Sequence, residues 1–272
     1  MKELLLTGIC CLTTLCISAQ SVQDSIQIMQ AHWEVTLLQR GLVLRHASFQ
    51  NLYGGPQQVY ILEVNPRKHP LHVLVHQGRE LTSQKAAQSG AVGAVNGTYF
   101  DMGETARSVC YTAENGVVTD FTKSDLGLLS DGALFICKKR VWIAPWSVQQ
   151  ERTFRPGKKD VMVCGPLMVL DGKEVDLGPD PGSHIPKPNP RSGIVVKNRR
   201  KVFLVVVDGR QPGSAIGVTI PQFAHLSRVL GGRQALNLDG GGSSVLWTQE
   251  QGIANKPSDG KERTVSNSVI VD

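Results

Sequence analysis

Val202-Phe203-Leu204-Val205-Val206-Val207 runs into Asp208-Gly209-Arg210, and Ala235-Leu236-Asn237-Leu238-Asp239 runs into Gly240-Gly241-Gly242-Ser243-Ser244. The first is the strongest strand signal in the chain: an apolar, β-branched run closed by a Gly-containing turn. Working outward, other short strand-like runs fall at Trp33–Leu38, Val59–Val64, Leu71–His76, Val109–Thr112 and Ala133–Cys137. Asn115-Gly116, Asp131-Gly132 and Asp171-Gly172 are dipeptides that tolerate the positive φ of a type I′ hairpin turn. Two helices interrupt the strands. Thr82 or Ser83 can cap one that runs to about Ser89 and feeds the strand Ala91–Val95. Thr219 can cap the other, which sets Phe223, Leu226 and Leu230 on one face before Gly231-Gly232 ends it. Gly157–Arg191, rich in Pro, Gly and Lys, reads as containing a long surface loop. Hairpins with few helices predict an α+β fold, one domain with a mixed, largely antiparallel sheet and a few flanking helices.

The chain has 272 residues, 29 Lys+Arg against 23 Asp+Glu, a formal net charge of +6 and 41 % hydrophobic residues. That length supports a core without disulfides or metal. The positive charge is dispersed along the sequence and aromatic residues are few, which disfavours nucleic-acid binding. Lys2, the apolar run Leu4–Ile17 and Ser18-Ala19 read as a secretory signal peptide over residues 1–19, placing the mature chain outside the cytoplasm, secreted or periplasmic. The run is too short for a membrane span, and no later segment approaches one. Cys10, Cys11 and Cys16 leave with the signal; Cys110, Cys137 and Cys164 remain, an odd set without CxxC or metal spacing, and read as small buried hydrophobes.

Polar clusters at strand ends carry the chemistry. Asn96-Gly97-Thr98-Tyr99-Phe100-Asp101 follows one strand, and Asn189-Pro190-Arg191-Ser192-Gly193 precedes another. Three successive glycines let backbone N–H groups converge on an anion or a sugar oxygen. Asp239 stands at the entrance of that loop, with Asn237 on the same strand face. Each piece alone is an ordinary turn; their recurrence at strand ends favours a site.

The blocks VNGTYFD (95–101), NPRSGIVV (189–196), VVDGRQPGSAIGVT (206–219), ALNLDGGGSSVLW (235–247) and NKPSDGKERTVSNSVIV (255–271) resemble, in order, those of the phosphodiester glycosidase family. The resemblance covers most of residues 20–272, which it reads as one catalytic domain, and is densest after residue 189. It implies hydrolysis of N-acetylglucosamine α-linked through phosphate, releasing the free sugar. It places Asn96, Arg191, Asp208, Arg210, Asn237, Asp239, Gly240, Gly241 and Ser243 on family positions, with Asn255, Ser258 and Arg263 in the closing motif. Thr98 stands where a second glycine is usual, and Ser192-Gly193 replaces a Thr-Ala pair; these departures bear on sugar specificity rather than reaction class. No cysteine-rich module or anchor follows the domain, which resembles a bacterial secreted member.

A sugar–phosphodiester expels a phosphomonoester, a far better leaving group than a sugar alkoxide, so little protonation is needed. Arginines suit the phosphate because guanidinium pairs bidentately and stays charged. Arg191 and Arg210 therefore suit the phosphate, and the resemblance implies that Asn96, Asn237, Gly240, Gly241, Ser243 and Arg263 complete the binding set. Asp239, ahead of Asp208, is the carboxylate that activates water or attacks directly. His184 is a candidate acid, whereas His72, His76 and His225 read as structural. No HExxH or paired-His spacing marks a zinc site, while Asp208, Asn237 and Asp239 have the chemistry to hold calcium or magnesium. Two other readings stay open: a metal-dependent phosphodiesterase of the cell envelope, and a non-catalytic binder of phosphorylated glycans.

Overall fold

Both faces of the strongest strand are buried, which demands packed layers on each side. In the computed structural model, residues 22–103, 105–123, 126–178 and 185–272 are described. The expected signal peptide and His184 lie outside the described residues. The strands are β1 (Glu34–Gln39), β2 (Leu42–Leu52), β3 (Gly55–Val64), β4 (Leu71–Glu80), β5 (Gly93–Asn96), β6 (Thr112–Glu114), β7 (Val117–Asp120), β8 (Gly132–Cys137) and β9 (Arg140–Pro145). They continue as β10 (Asp160–Cys164), β11 (Leu167–Leu170), β12 (Lys173–Glu174), β13 (Arg191–Asn198), β14 (Lys201–Val207), β15 (Gln234–Asn237), β16 (Leu246–Thr248), β17 (Gly252–Ile253) and β18 (Val265–Val271). Helices are α1 (residues 22–29), α2 (Thr82–Ser89), α3 (Val148–Glu151) and α4 (Ile220–Val229).

The α+β expectation holds, with the strands divided among three sheets ordered β1-β2-β3-β14-β13-β15-β11-β12, β7-β6-β10-β8-β9 and β17-β16-β5-β18-β4. In the first sheet β14 pairs antiparallel with both β3 and β13. Its side chains alternate with period two. Phe203, Val205 and Val207 pack with Phe223 and Leu226 of α4, while Val202, Leu204 and Val206 join a core with Leu134 of β8 in the second sheet and Val95 and Val269 of β5 and β18 in the third. Burying each such side chain contributes about 1.5–3 kcal/mol, so this central layer anchors the fold. Helix α4 comes close because β13 carries Gly193: a Cβ there would lie 2.8 Å from Phe223 Cε1 and 2.9 Å from Leu236 O.

Local signals held where the turn or cap was self-contained. Asn115 and Gly116 have φ of 52° and 82°, and Asp171 and Gly172 have 50° and 78°, the two positive values that a type I′ turn requires. Thr219 caps α4 in a reciprocal box with Gln222. Other readings are corrected by tertiary contacts. Asp131-Gly132 is no hairpin; Asp131 follows a 3₁₀ turn and its carboxylate accepts the Leu167 N–H at 2.7 Å. Thr82 and Ser83 are helical rather than caps. Glu262, from the distant closing segment, accepts the Ser83 N–H at 2.9 Å and the Ser83 hydroxyl. The strand expected at Val109–Thr112 starts only at Thr112, and the stretch 157–191 contains β10, β11 and β12 before its loop. The three cysteines among the described residues are free thiols, with Cys110 and Cys164 buried and Cys137 half-buried.

Candidate active site

The loops that leave β5, β14 and β15 and the one that enters β13 meet at one end of the sheets. Register explains why. Arg191 pairs with Val207 and Gly193 with Asn237, so the entry to β13 and the exits of β14 and β15 share one edge. Asn96, at the end of β5, is buried and ties these loops together. Its Nδ2 donates to Asp239 O at 2.7 Å, and its Oδ1 accepts from Ser192 Oγ at 2.7 Å and Val245 N at 3.2 Å. Asp239 N donates to Gly97 O at 3.0 Å, so the Asp239 backbone is gripped on both sides.

The glycine loop is compact rather than open. Gly241 N donates to Pro190 O, Ser243 N to Gly240 O and Ser244 N to Gly241 O, so those donors serve the loop itself. Each glycine answers a close approach. A Cβ on Gly240 would lie 2.7 Å from Pro190 O; Gly241 has φ +61° under the Arg210 guanidinium; a Cβ on Gly242 would collide with Arg263 and Asp259.

The loop forms one wall of a cavity of about 270 Å³ whose other walls include Tyr99, Asn189, Arg191, Arg210 and Arg263. Asp239 is the carboxylate on these walls. Burial pushes it up to about 6, against the opposing pull of the Ser243 hydroxyl, the Arg263 charge and the Gly240 N–H. Burial pushes Arg191 down to about 10, with Tyr99 and Arg210 close enough to modulate it. Arg191 is threaded through the loop before β13, its Nε donating to Val218 O at 3.0 Å and its Nη2 to Lys187 O at 2.8 Å. Arg210, at φ +59°, is held by a neutral group: Asn189 Oδ1 accepts from its Nε at 3.1 Å and its Nη2 at 2.9 Å. Arg263 instead pairs with Asp259, Nε to Oδ2 at 3.0 Å. Arg263 and Asp259 also wall a larger cleft of about 760 Å³ that adjoins the first and carries Arg79 and Lys261.

The remaining sequence candidates take supporting places. Asp208 is buried away from these walls, its carboxylate accepting Asn255 Nδ2 at 3.0 Å and Lys256 N at 3.1 Å; burial still raises it above the ordinary carboxylate range. Asp208 thereby ties the closing segment to the end of β14. Asn237 is a strut, donating to Tyr99 Oη at 3.0 Å and Gly165 O at 2.8 Å. Asp208, Asn237 and Asp239, the trio considered for a divalent cation, thus have different tasks. Among the described residues no group of three or more His, Cys, Asp and Glu is arranged for a metal. Tyr99 and Asn189 join the wall although neither was singled out from the sequence. Both lie inside the quoted blocks, and only their neighbours in space reveal that they face the cavity.

A half-buried carboxylate that shares one cavity with three arginines, at converging loop ends, has the chemistry to receive an anionic ligand. The phosphodiester glycosidase family matches residues 89–272, more than half of the chain, and the chain belongs to that family. Among solved structures, the zebrafish N-acetylglucosamine-1-phosphodiester alpha-N-acetylglucosaminidase catalytic domain, auto-inhibited by its pro-peptide, has TM-score 0.68 at 18 % identity, over 88 % of this chain and 87 % of that one. A hypothetical protein from Synechocystis has TM-score 0.65 at 16 % identity, over 88 % of this chain and 63 % of its own. A Burkholderia pseudomallei exported protein has TM-score 0.58 at 14 % identity, over 80 % and 75 %. These likenesses establish the shared fold. No curated protein matches the sequence.

Proposed function

We propose that this chain is a hydrolase that cleaves the glycosidic bond of a sugar-1-phosphodiester, releasing the sugar and a phosphomonoester. The observation that carries this reading is Asp239, raised to about 6 on the wall of a 270 Å³ cavity that Arg191, Arg210 and Arg263 also line. The name of the zebrafish structural neighbour supports N-acetylglucosamine as the sugar.

At neutral pH the Asp239 carboxylate is ionised and directed at the anomeric carbon, where it attacks or takes the proton of an attacking water. The bond from the anomeric carbon to oxygen breaks, and its electron pair stays on the phosphate, which Arg191 and Arg210 hold. Arg263 can exchange Asp259 for substrate, because a half-exposed ion pair is worth only about 0–1 kcal/mol. An ordinary glycosidase needs a second carboxyl group as acid. Here Asp208 is committed to Asn255 and Lys256, which fits a leaving group that needs no proton. The leader at residues 1–19 further suggests work outside the cytoplasm, after cleavage near Ala19.

Turnover of an N-acetylglucosamine-α-1-phosphodiester in oxygen-18 water tests the reading. Label in the sugar hydroxyl is expected. Label in the phosphate, with loss of activity on chelation of calcium or magnesium, would favour the metal-dependent phosphodiesterase. Binding without turnover across a panel of sugars, unaffected in Asp239→Asn, would favour the non-catalytic binder.

A further inference from the structure

Charge that is scattered along the sequence is gathered at the end of the molecule opposite the cavity. A pocket of about 380 Å³ is lined by Arg67, Lys139, Arg140 and Arg199 alone. They come from three separate turns: the β3–β4 connection, the β8–β9 hairpin and the β13–β14 hairpin. A second pocket of about 210 Å³ shares Arg140 and Arg199 and adds Arg233, with Asp171 as the acidic residue on its walls. Arg67, Lys139, Arg140, Arg199 and Arg233 are exposed, and none of them takes part in an ion pair among the described residues. Packing this much like charge together is unfavourable unless an anion sits among the groups.

The register of β13 gives the position. Arg191 pairs with Val207 at the cavity end and Asn198 with Lys201 at the other, so about 23 Å of strand separates the two. The track is therefore distinct from the cavity at Asp239. Two pockets joined through shared arginines suit a run of phosphates better than a single one. The surface offers no platform for nucleic-acid bases: Trp142 is stacked on Phe135 at 5.2 Å and covered by Arg140 at 6.0 Å.

We infer that these five cations form a binding track for a flexible, phosphate-bearing polymer, such as a phosphate-linked glycan, and that the track acts independently of turnover at Asp239.

Long-chain inorganic polyphosphate, titrated calorimetrically into the intact protein at several salt concentrations, tests this. Saturable binding is expected, weakened about tenfold or more in Arg67→Glu/Arg199→Glu, with the salt slope reduced by about 2. The double variant Arg79→Glu/Lys261→Glu changes net charge equally at the cavity end, and its affinity is expected to stay within about twofold of wild type. Equal losses in the two double variants would reduce the effect to net charge and overturn the track. Orthophosphate binding as tightly as the polymer would overturn its polymeric ligand. A single-stranded oligonucleotide binding as tightly as polyphosphate would overturn the exclusion of nucleic acid. Because binding is read directly, failure of the proposed hydrolysis leaves this result interpretable.

Discussion

Replacing Asp239 by Asn should change how stability depends on pH, with a sign opposite to that of most carboxylates. Folding raises the Asp239 carboxyl from 3.8 to about 6. The folded protein therefore holds this proton more tightly than the unfolded chain, and stability is lost as pH rises from about 4 to about 6. Ionising the group in the fold costs about 1 kcal/mol at pH 4.5 and about 3 kcal/mol at pH 7.5, from a shift of about two units at 1.36 kcal/mol each. The amide of Asp239→Asn does not titrate, so the stability difference, variant minus wild type, should grow by about 2 kcal/mol between those pH values. For a chain of this size that is about 4–8 °C in midpoint temperature. Paired urea and thermal denaturation at the two pH values measures it. Any packing effect of the amide is a constant offset and cancels. A difference that stays flat, or shrinks with pH, would refute burial as the cause of the raised pKa. The same titration should appear in catalysis: kcat/KM should rise through about pH 6 to a plateau, because the ionised form is the working one, and a pH-independent kcat/KM would remove Asp239 from the step.

Other expectations address single contacts. Arg210→Lys loses the fork held by Asn189 and should lower kcat/KM about tenfold or more, mainly through KM, with unchanged thermal stability; unaltered kinetics would take Arg210 out of phosphate binding. Gly242→Ala pushes a methyl group against the half-exposed ends of Arg263 and Asp259, which can swing aside, and should cost no more than about 1 kcal/mol in urea denaturation while raising KM; an unchanged KM would refute a role for that pair's position in binding. Asn96→Ala strands Asp239 O, Ser192 Oγ and Val245 N–H and should cost about 2–4 kcal/mol, with a fall in kcat as the Asp239 backbone loosens. An intact kcat would show that Asp239 is held by other contacts.

Much of the fold was legible because some signals are local. Thr219 meets Gln222 three residues on, the Asn115-Gly116 and Asp171-Gly172 turns need only their own φ angles, and Val202–Val207 is apolar enough to be a strand in almost any context. Strand β18 was not legible as a strand. Ser266, Asn267 and Ser268 break its apolar pattern, yet all are buried, because Asn267 Oδ1 accepts Thr98 N and Ser268 bonds to Thr82 and His76. The α2 start was misread for the same reason, since its capping carboxylate, Glu262, arrives from the far end of the chain.

The site divides in the same way. Sequence by itself determined which residue types stand at the strand ends: the two aspartates, the arginines and the glycines whose missing side chains permit close approach. Only the tertiary structure decided their tasks. Asp208 and Asp239 are equivalent as letters, but Asn255 and Lys256 occupy the first while loops from β5, β13 and β15 desolvate the second. The basic track is likewise invisible until three turns meet. Desolvation and charge density depend on distances between atoms far apart along the chain, and those distances exist only once the sheets have packed.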